Sequence, residues 1–270
     1  MGNAPWKERQ STAAVQGRLW GVRPRDWAVY MEAKKRPLFE QVLEDTGMGP
    51  GSDVLDVGCG AGTFCAMASS RGAVAMGLDA SRNLLAVAKE QSGRDRFLRG
   101  EMQELPFPER CFNLVTGFNA FQYAADAEHA LREAARVTRR EGRIVIAVYG
   151  KREDCDTAEY ISALSKLMPP PPPDTPGPFA LSSDGALQEF AFRAGLEPEL
   201  QRDVSVPWDF PDAATAVRAL LSSGPAAKAI EHAGESRVRE AIQSVLPRFQ
   251  TTTEGYILHN KFRYLVAGKW

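Results

Sequence analysis

Along the middle of the chain, short apolar runs rich in β-branched residues each give way to a stretch with apolar positions three and four residues apart. The runs predict strands near 53–57, 74–79, 95–99, 112–117 and 143–148, and the stretches between them predict helices near 62–71, 81–91 and 127–138. The run at 95–99, DRFLR, has the weakest apolar character of the set. Alternation of this kind builds a parallel sheet covered by helices on both faces, because each crossover helix returns the chain to the same end of the sheet. Two later strands are expected at about 199–206 and 256–267, with helical patterns at 154–167, 183–194 and 235–246.

The first fifty residues differ in character. Trp20, Trp27 and Tyr30 stand on a polar background, with a helical pattern near 26–46. The chain therefore divides into an N-terminal helical docking segment (1–50), a ligand-binding core (51–150), a lid helix with a proline-rich strap (151–182), and the C-terminal part of the sheet (183–270), which carries inserted lid helices at about 207–250. The strap contains Met168 followed by five prolines through Pro173. A run that lacks N–H donors is neither helix nor inner strand, so it reads as an extended connector.

The chemistry concentrates at 54–64, VLDVGCGAGTF. A buried strand that passes Asp56 and turns through Gly58, Gly60 and Gly62 into a helix makes a cradle of backbone N–H groups, as nucleotide sites do. The dinucleotide fingerprint G-x-G-x-x-G is not met, since the spacing here is G-x-G-x-G. Asp79 ends the second strand about twenty residues on, where a carboxylate can accept both hydroxyls of a ribose. A dinucleotide, a flavin and S-adenosylmethionine remain open on these residues alone. A further acid, Glu101, follows the third strand in GEMQELPF, and FNLVTGFNAFQY follows as the fourth strand and its exit.

Taken together, these motifs resemble the class I S-adenosylmethionine-dependent methyltransferases, in particular the small-molecule group that includes the quinone C-methyltransferases. The resemblance is close over roughly 50–150. It implies a Rossmann-like α/β fold with a seven-stranded sheet of order 3-2-1-4-5-7-6, the last strand antiparallel, with helices on both faces and a helical lid. It also implies a methyltransferase that uses S-adenosylmethionine and releases S-adenosylhomocysteine, transferring the methyl to O, C or N of a small metabolite. Gly58, Gly60 and Gly62 would lie under the cofactor's amino acid and ribose, with Asp56 anchoring the turn and Asp79, beside Ala80, on the ribose hydroxyls. Met102 and Gln103 would border the adenine, with Glu101 beside them where many relatives carry aspartate. Phe118, Asn119 and Gln122 would face the sulfonium end.

In an open α/β sheet the ligand lies beyond the carboxyl ends of the strands, so segments inserted at that edge are lids. Tyr149, Trp208 and Tyr256 are expected to line the acceptor pocket. No base stands out: His259 and Tyr30 are the candidates, and an already ionised acceptor needs neither. The chain lacks the Asn/Asp-Pro-Pro-Tyr box that amine methyltransferases carry after the fourth strand. A protein that keeps the cofactor without methylating, such as a cyclase or a cofactor-sensing regulator, is the alternative.

Composition narrows the setting. With a formal net charge of −1 over 270 residues, there is no overall basic field to draw nucleic acid. Cys59, Cys65, Cys111 and Cys155 form no C-x-x-C pair, so no metal is expected and a reduced, cytoplasmic setting is. No signal peptide or stretch of about 18 apolar residues suggests a membrane. The acceptor and the oligomeric state are not legible.

Overall fold

The computed structural model describes residues 11–92, 96–170, 177–251 and 255–269. Seven strands form one sheet of order β3-β2-β1-β4-β5-β9-β6, built from β1 (Asp53–Val57), β2 (Val74–Asp79), β3 (Phe97–Arg99), β4 (Phe112–Phe118), β5 (Thr138–Tyr149), β6 (Leu196–Ser205) and β9 (Lys261–Lys269). The first five pair in parallel, while β9 runs antiparallel to both β5 and β6. This is the expected order and the expected hand of the last strand.

Both faces of the sheet are buried, and side-chain alternation assigns residues to them. Val54, Leu114, Val145, Ala147, Phe262 and Tyr264 pack on one face, whereas Leu55, Val57, Val115, Ile144, Ile146 and Leu265 pack on the other. The first face is covered by α3 (Arg36–Thr46) and α4 (Thr63–Ser70) among others, and the second by α6 (Ala127–Val137) and α8 (Ala186–Arg193).

The long strand expected at 256–267 is two strands. Tyr256–Leu258 (β8) pairs with Trp208–Phe210 (β7) in a separate two-stranded sheet, and β9 begins only at Lys261. Asn260 makes the break: its side chain accepts the Thr157 N–H at 3.0 Å and donates to the Leu258 carbonyl at 3.1 Å. The alternation of Tyr256, Leu258, Phe262 and Tyr264 is broken at the join by the polar run His259-Asn260-Lys261, while the same period resumes on either side.

Between β7 and β8 lie α9 (Ala213–Leu220), α10 (Gly224–Ala233) and α11 (Glu235–Val245), which pack with α7 (Thr157–Ser165) into one helical group. The N-terminal α1 (Ala13–Trp20) packs on α10, where Trp20 lies so close to Gly224 that a Cβ there would meet its ring at 2.6 Å. The strap reading at 168–173 falls partly on 171–176, outside the described residues.

The helix expected over 26–46 changes pitch three times. A short α turn (Pro24–Asp26, α2) passes into a π turn at Trp27–Met31, then a 3₁₀ turn at Glu32–Lys35, before α3. The π turn sets Glu32 five residues from Trp27 on one side of the chain, and the Trp27 Nε1–H donates to Glu32 Oε2 at 3.0 Å.

Candidate functional site

The turn after β1 takes left-handed backbone at Gly58 (φ 74°), Gly60 (φ 58°) and Gly62 (φ 85°), a region that side chains with a Cβ disfavour. Its N–H groups are already engaged by the protein. Gly58 and Cys59 donate to the Leu78 carbonyl at 2.7 and 3.1 Å, and Gly60 donates to Asp79 Oδ2 at 2.9 Å. Ala61 and Thr63 donate to Glu32 Oε2 and Oε1 at 2.7 and 2.9 Å. The carboxylate of Glu32 thus occupies the N-terminus of α4, where the helix dipole and the unpaired N–H groups favour an anion. A ligand phosphate is shut out of that position.

Acidic groups line this end. Asp56 is 2% exposed and accepts the Thr116 hydroxyl on Oδ1 at 2.7 Å. Burial pushes its carboxyl up to about 8, with smaller upward pushes from Glu32 and Asp79 and an opposing pull from Thr116. Asp79 is pushed up to about 6, again by burial first, although the N–H groups of Ser81 and Gly60 hold it back. Lys35, 7% exposed, lies over Trp27 and Phe262 with its Nζ 5.1 and 5.9 Å from the ring centroids. Burial lowers its pKa, while Glu32 and Asp56 pull the other way.

These residues border one cavity of about 1270 Å³. Its wall includes Asp56, Gly58, Gly60, Asp79, Glu32 and Lys35 from the turn and the segment over it, and Tyr149, Tyr160, Trp208, Met168 and Ser223 from the later elements. Such a volume exceeds the ~300–1,000 Å³ of a typical single-ligand pocket, so two molecules fit. Among the later elements, Tyr149 meets Phe262 and Trp208 at centroid distances of 4.9 and 6.5 Å, and the Tyr160 hydroxyl donates to the Leu220 carbonyl at 2.8 Å. Burial raises the phenols of Tyr149 and Tyr160 above their usual range, so neither is a base near neutral pH.

The cavity wall also includes Ala80, Met102, Phe118, Asn119 and Gln122 from the cofactor set, and Tyr149 and Trp208 from the acceptor set. Asn119 holds a positive φ of 53°, and its N–H donates to the Ala147 carbonyl at 2.7 Å. Other candidates stand elsewhere. Gly62 faces the core, where a Cβ would meet Phe97 at 2.8 Å and Ala88 at 3.1 Å. Glu101 turns away to take the Ser11 hydroxyl and the Gln103 N–H, and Gln103 is spent on the Asp126 N–H at 2.7 Å. Tyr30 lies outside the cavity under the Arg218 guanidinium, 5.2 Å from its ring. His259 is exposed with its N–H on Asp156, and Tyr256 is held in the small sheet opposite Phe210.

By themselves, Glu32 and Lys35 carry no mark of a site in the sequence. In MEAKK they look like two charges on a solvated face, and only the π and 3₁₀ turns rotate them inward. The one available signal was Trp27 with Glu32 at a spacing of five, which no α-helix brings together.

Residues 55–146 match the family described as "Methyltransferase domain". The chain is 37% identical over 139 residues to malonyl-(acyl-carrier protein) O-methyltransferase of Pectobacterium atrosepticum, covering 52% of this chain and 53% of that protein. It is 32% identical over 122 residues to the uncharacterized methyltransferase YcgJ of Bacillus subtilis, covering 43% and 48%. The chain thus spans about half the length of the curated relatives it matches. Among solved structures, an S-adenosylmethionine-dependent methyltransferase from Geobacter sulfurreducens in complex with S-adenosyl-L-homocysteine shares the fold, with a TM-score of 0.58, 17% identity and coverage of 94% and 98%. No helix among the described residues is long and apolar enough to cross a membrane.

Proposed function

We propose that this protein is an S-adenosylmethionine-dependent methyltransferase acting on a small-molecule acceptor, within the broad group whose motifs include those of the quinone C-methyltransferases. The observation that carries the reading is the charge of the cavity's inner wall. Three carboxyl groups, Glu32, Asp56 and Asp79, face one amine, Lys35; burial favours the protonated form of Asp56, but a cation beside it draws that proton off and leaves an excess of negative charge. A ligand with a sulfonium and an ammonium relieves that excess, whereas a pyrophosphate adds to it and finds the N-terminus of α4 filled by Glu32.

The chain's own residues account for the fit. Asp79, half-buried at the wall, holds the turn through Gly60 and Ser81 and offers its carboxylate to ribose hydroxyls. Ala80 and Met102 border the nucleoside side, and Phe118, Asn119 and Gln122 flank the approach to the acceptor end. When bound, the cofactor supplies an electrophilic methyl on positively charged sulfur. Transfer is an in-line displacement, which needs the acceptor atom held at about 3–3.5 Å on the side away from sulfur. The lid and the wall of Tyr149, Trp208 and Tyr160 exclude water that would compete as acceptor. No histidine lines this cavity, and its buried phenols are held protonated. The reading therefore favours an acceptor that is ionised on arrival, or one that loses its proton after attack.

Calorimetry tests the proposal. Wild-type protein is expected to bind S-adenosylhomocysteine, and Asp79→Ala to weaken it at least ~100-fold, the worth of two charge-assisted hydrogen bonds. Asp79→Asn, which keeps one acceptor oxygen, is expected to fall between. Unchanged affinity in both variants overturns the assignment. Incubation with methyl-labelled cofactor and a metabolite extract should label small molecules, and absence of label across a wide panel would favour the non-methylating alternative.

A further inference from the structure

Resting on that reading of the cavity, we infer that Lys35 is its carboxylate-holding residue, an ammonium kept ready for an acid group that a ligand carries in. Lys35 is nine-tenths buried, borders the cavity, and has no hydrogen bond or ion pair with any described residue. Its nearest charged neighbours are committed elsewhere: Glu32 accepts from Ala61, Thr63 and Trp27, and Asp56 accepts from Thr116. Its surroundings are otherwise the faces of Trp27 and Phe262, which offset part of the cost of burying a cation but satisfy none of its three donors. The ammonium keeps some accessible surface on a residue that borders the cavity, so acceptors brought by a ligand can complete what the protein leaves open.

The surroundings also select the kind of anion. The Glu32 carboxylate beside Lys35 opposes a doubly charged phosphate more strongly than a singly charged acid. The other place for an anion, the N-terminus of α4, is filled. A planar carboxylate is the group that remains.

It has two sources. One is the amino-acid end of the cofactor, whose ammonium the carboxyl groups of Asp56 and Glu32 would suit. The other is an acid group on the acceptor, since the Phe262 ring that Lys35 touches continues through Tyr149 to Trp208 on the acceptor side. The remaining lysine and arginine at the cavity edge are less suited: Lys228 is exposed, and Arg193 is paired with Glu128 and Glu189.

The test uses Lys35→Met, which keeps the length of the side chain, and Lys35→Arg, which keeps the charge. Each is titrated with S-adenosylhomocysteine and with 5′-methylthioadenosine, which has the nucleoside and sulfur but no amino acid; benzoate is then titrated into the S-adenosylhomocysteine-loaded protein. Lys35→Met is expected to weaken one carboxylate ligand at least ~10-fold, with methylthioadenosine within about twofold and Lys35→Arg restoring most of the loss. Loss on S-adenosylhomocysteine assigns the cofactor's carboxylate, and loss confined to benzoate assigns the acceptor's. Unchanged binding of both acids, or equal loss on methylthioadenosine, overturns the inference. Failure of the wild type to bind S-adenosylhomocysteine refutes the broader reading instead.

Discussion

The turn that follows β1 and the segment that covers it reach one cavity by different routes. From Asp53 to Asp79 the chemistry follows from regular elements: a buried strand, a glycine turn, a helix and a second strand ending in an acid. From Trp27 to Lys35 it follows from irregularity, because a π turn and a 3₁₀ turn swing Glu32 and Lys35 off the solvated face. The first region provides donors and the second plugs them, so what the turn offers a ligand cannot be stated without the segment above it. A cradle that looks made for an anion becomes, once Glu32 is seated, a wall for a cation.

The largest expected effect breaks the acidic side of that comparison. Asp56 titrates near 8 when folded against an ordinary value of 3.8, so the folded state holds its proton more tightly than the unfolded one. The stability tied to that proton is fully present below about pH 4 and is lost as pH rises toward 8. Asp56→Asn should remove this loss, on the order of 5 kcal/mol for the ligand-free protein, and should weaken S-adenosylhomocysteine binding. Urea titrations of both proteins at pH 5 and pH 9 measure it, and parallel curves would contradict it. Asp79 adds a smaller loss of the same sign between about pH 4 and pH 6.

Removing the plug comes next. Glu32→Ala leaves the N–H groups of Ala61, Thr63 and Trp27 without their acceptor, and is expected to cost about 3 kcal/mol. A methyl at Gly60 would stand 2.3 Å from Glu32 Oε2 and so also displace it. The double variant Gly60→Ala, Glu32→Ala should therefore lose less than the sum of its parts, and simple additivity in denaturation would count against the coupling.

Gly62→Ala sharpens the comparison from the other side. Its methyl meets Phe97 and Ala88 in the core, with φ at +85°, so about 1–3 kcal/mol of stability should be lost while S-adenosylhomocysteine affinity stays within about threefold. A large loss of affinity in folded protein would place Gly62 at the ligand after all. The smallest effect is expected of Tyr30→Phe and His259→Gln, both away from the cavity: stability within about 0.5 kcal/mol and unchanged turnover.

How much was legible follows from the same contrast. The strands and most of the alternating helices could be read, because runs such as VLDV and RIVIAV fit a strand buried on both faces, whereas the order of the sheet and its antiparallel last strand followed from the resemblance to the class I methyltransferases. Asp56 and Asp79 could be picked out because each sits at a fixed distance from the glycines. Asn260 stands as a polar residue at an inward position of that run, within His259-Asn260-Lys261, but its role as a strand break rests on Thr157, a contact distant in sequence. Glu101 and Gln103 follow the third strand as the motif requires, yet their side chains are used by Ser11 and Asp126, partners that only folding supplies. Lys35 was hidden because a lysine beside another lysine carries every mark of a surface residue.

The central claim is that the glycine turn and Asp79 hold an adenosyl sulfonium whose methyl faces the aromatic end of the cavity. A crystal structure of the protein with S-adenosylhomocysteine tests it most directly. The ribose hydroxyls are expected on the Asp79 carboxylate, the sulfur near Asn119 and Gln122, and Glu32 still on Ala61 and Thr63. Tightly bound ligand found elsewhere, with this cavity closed by the protein's own side chains, would contradict it.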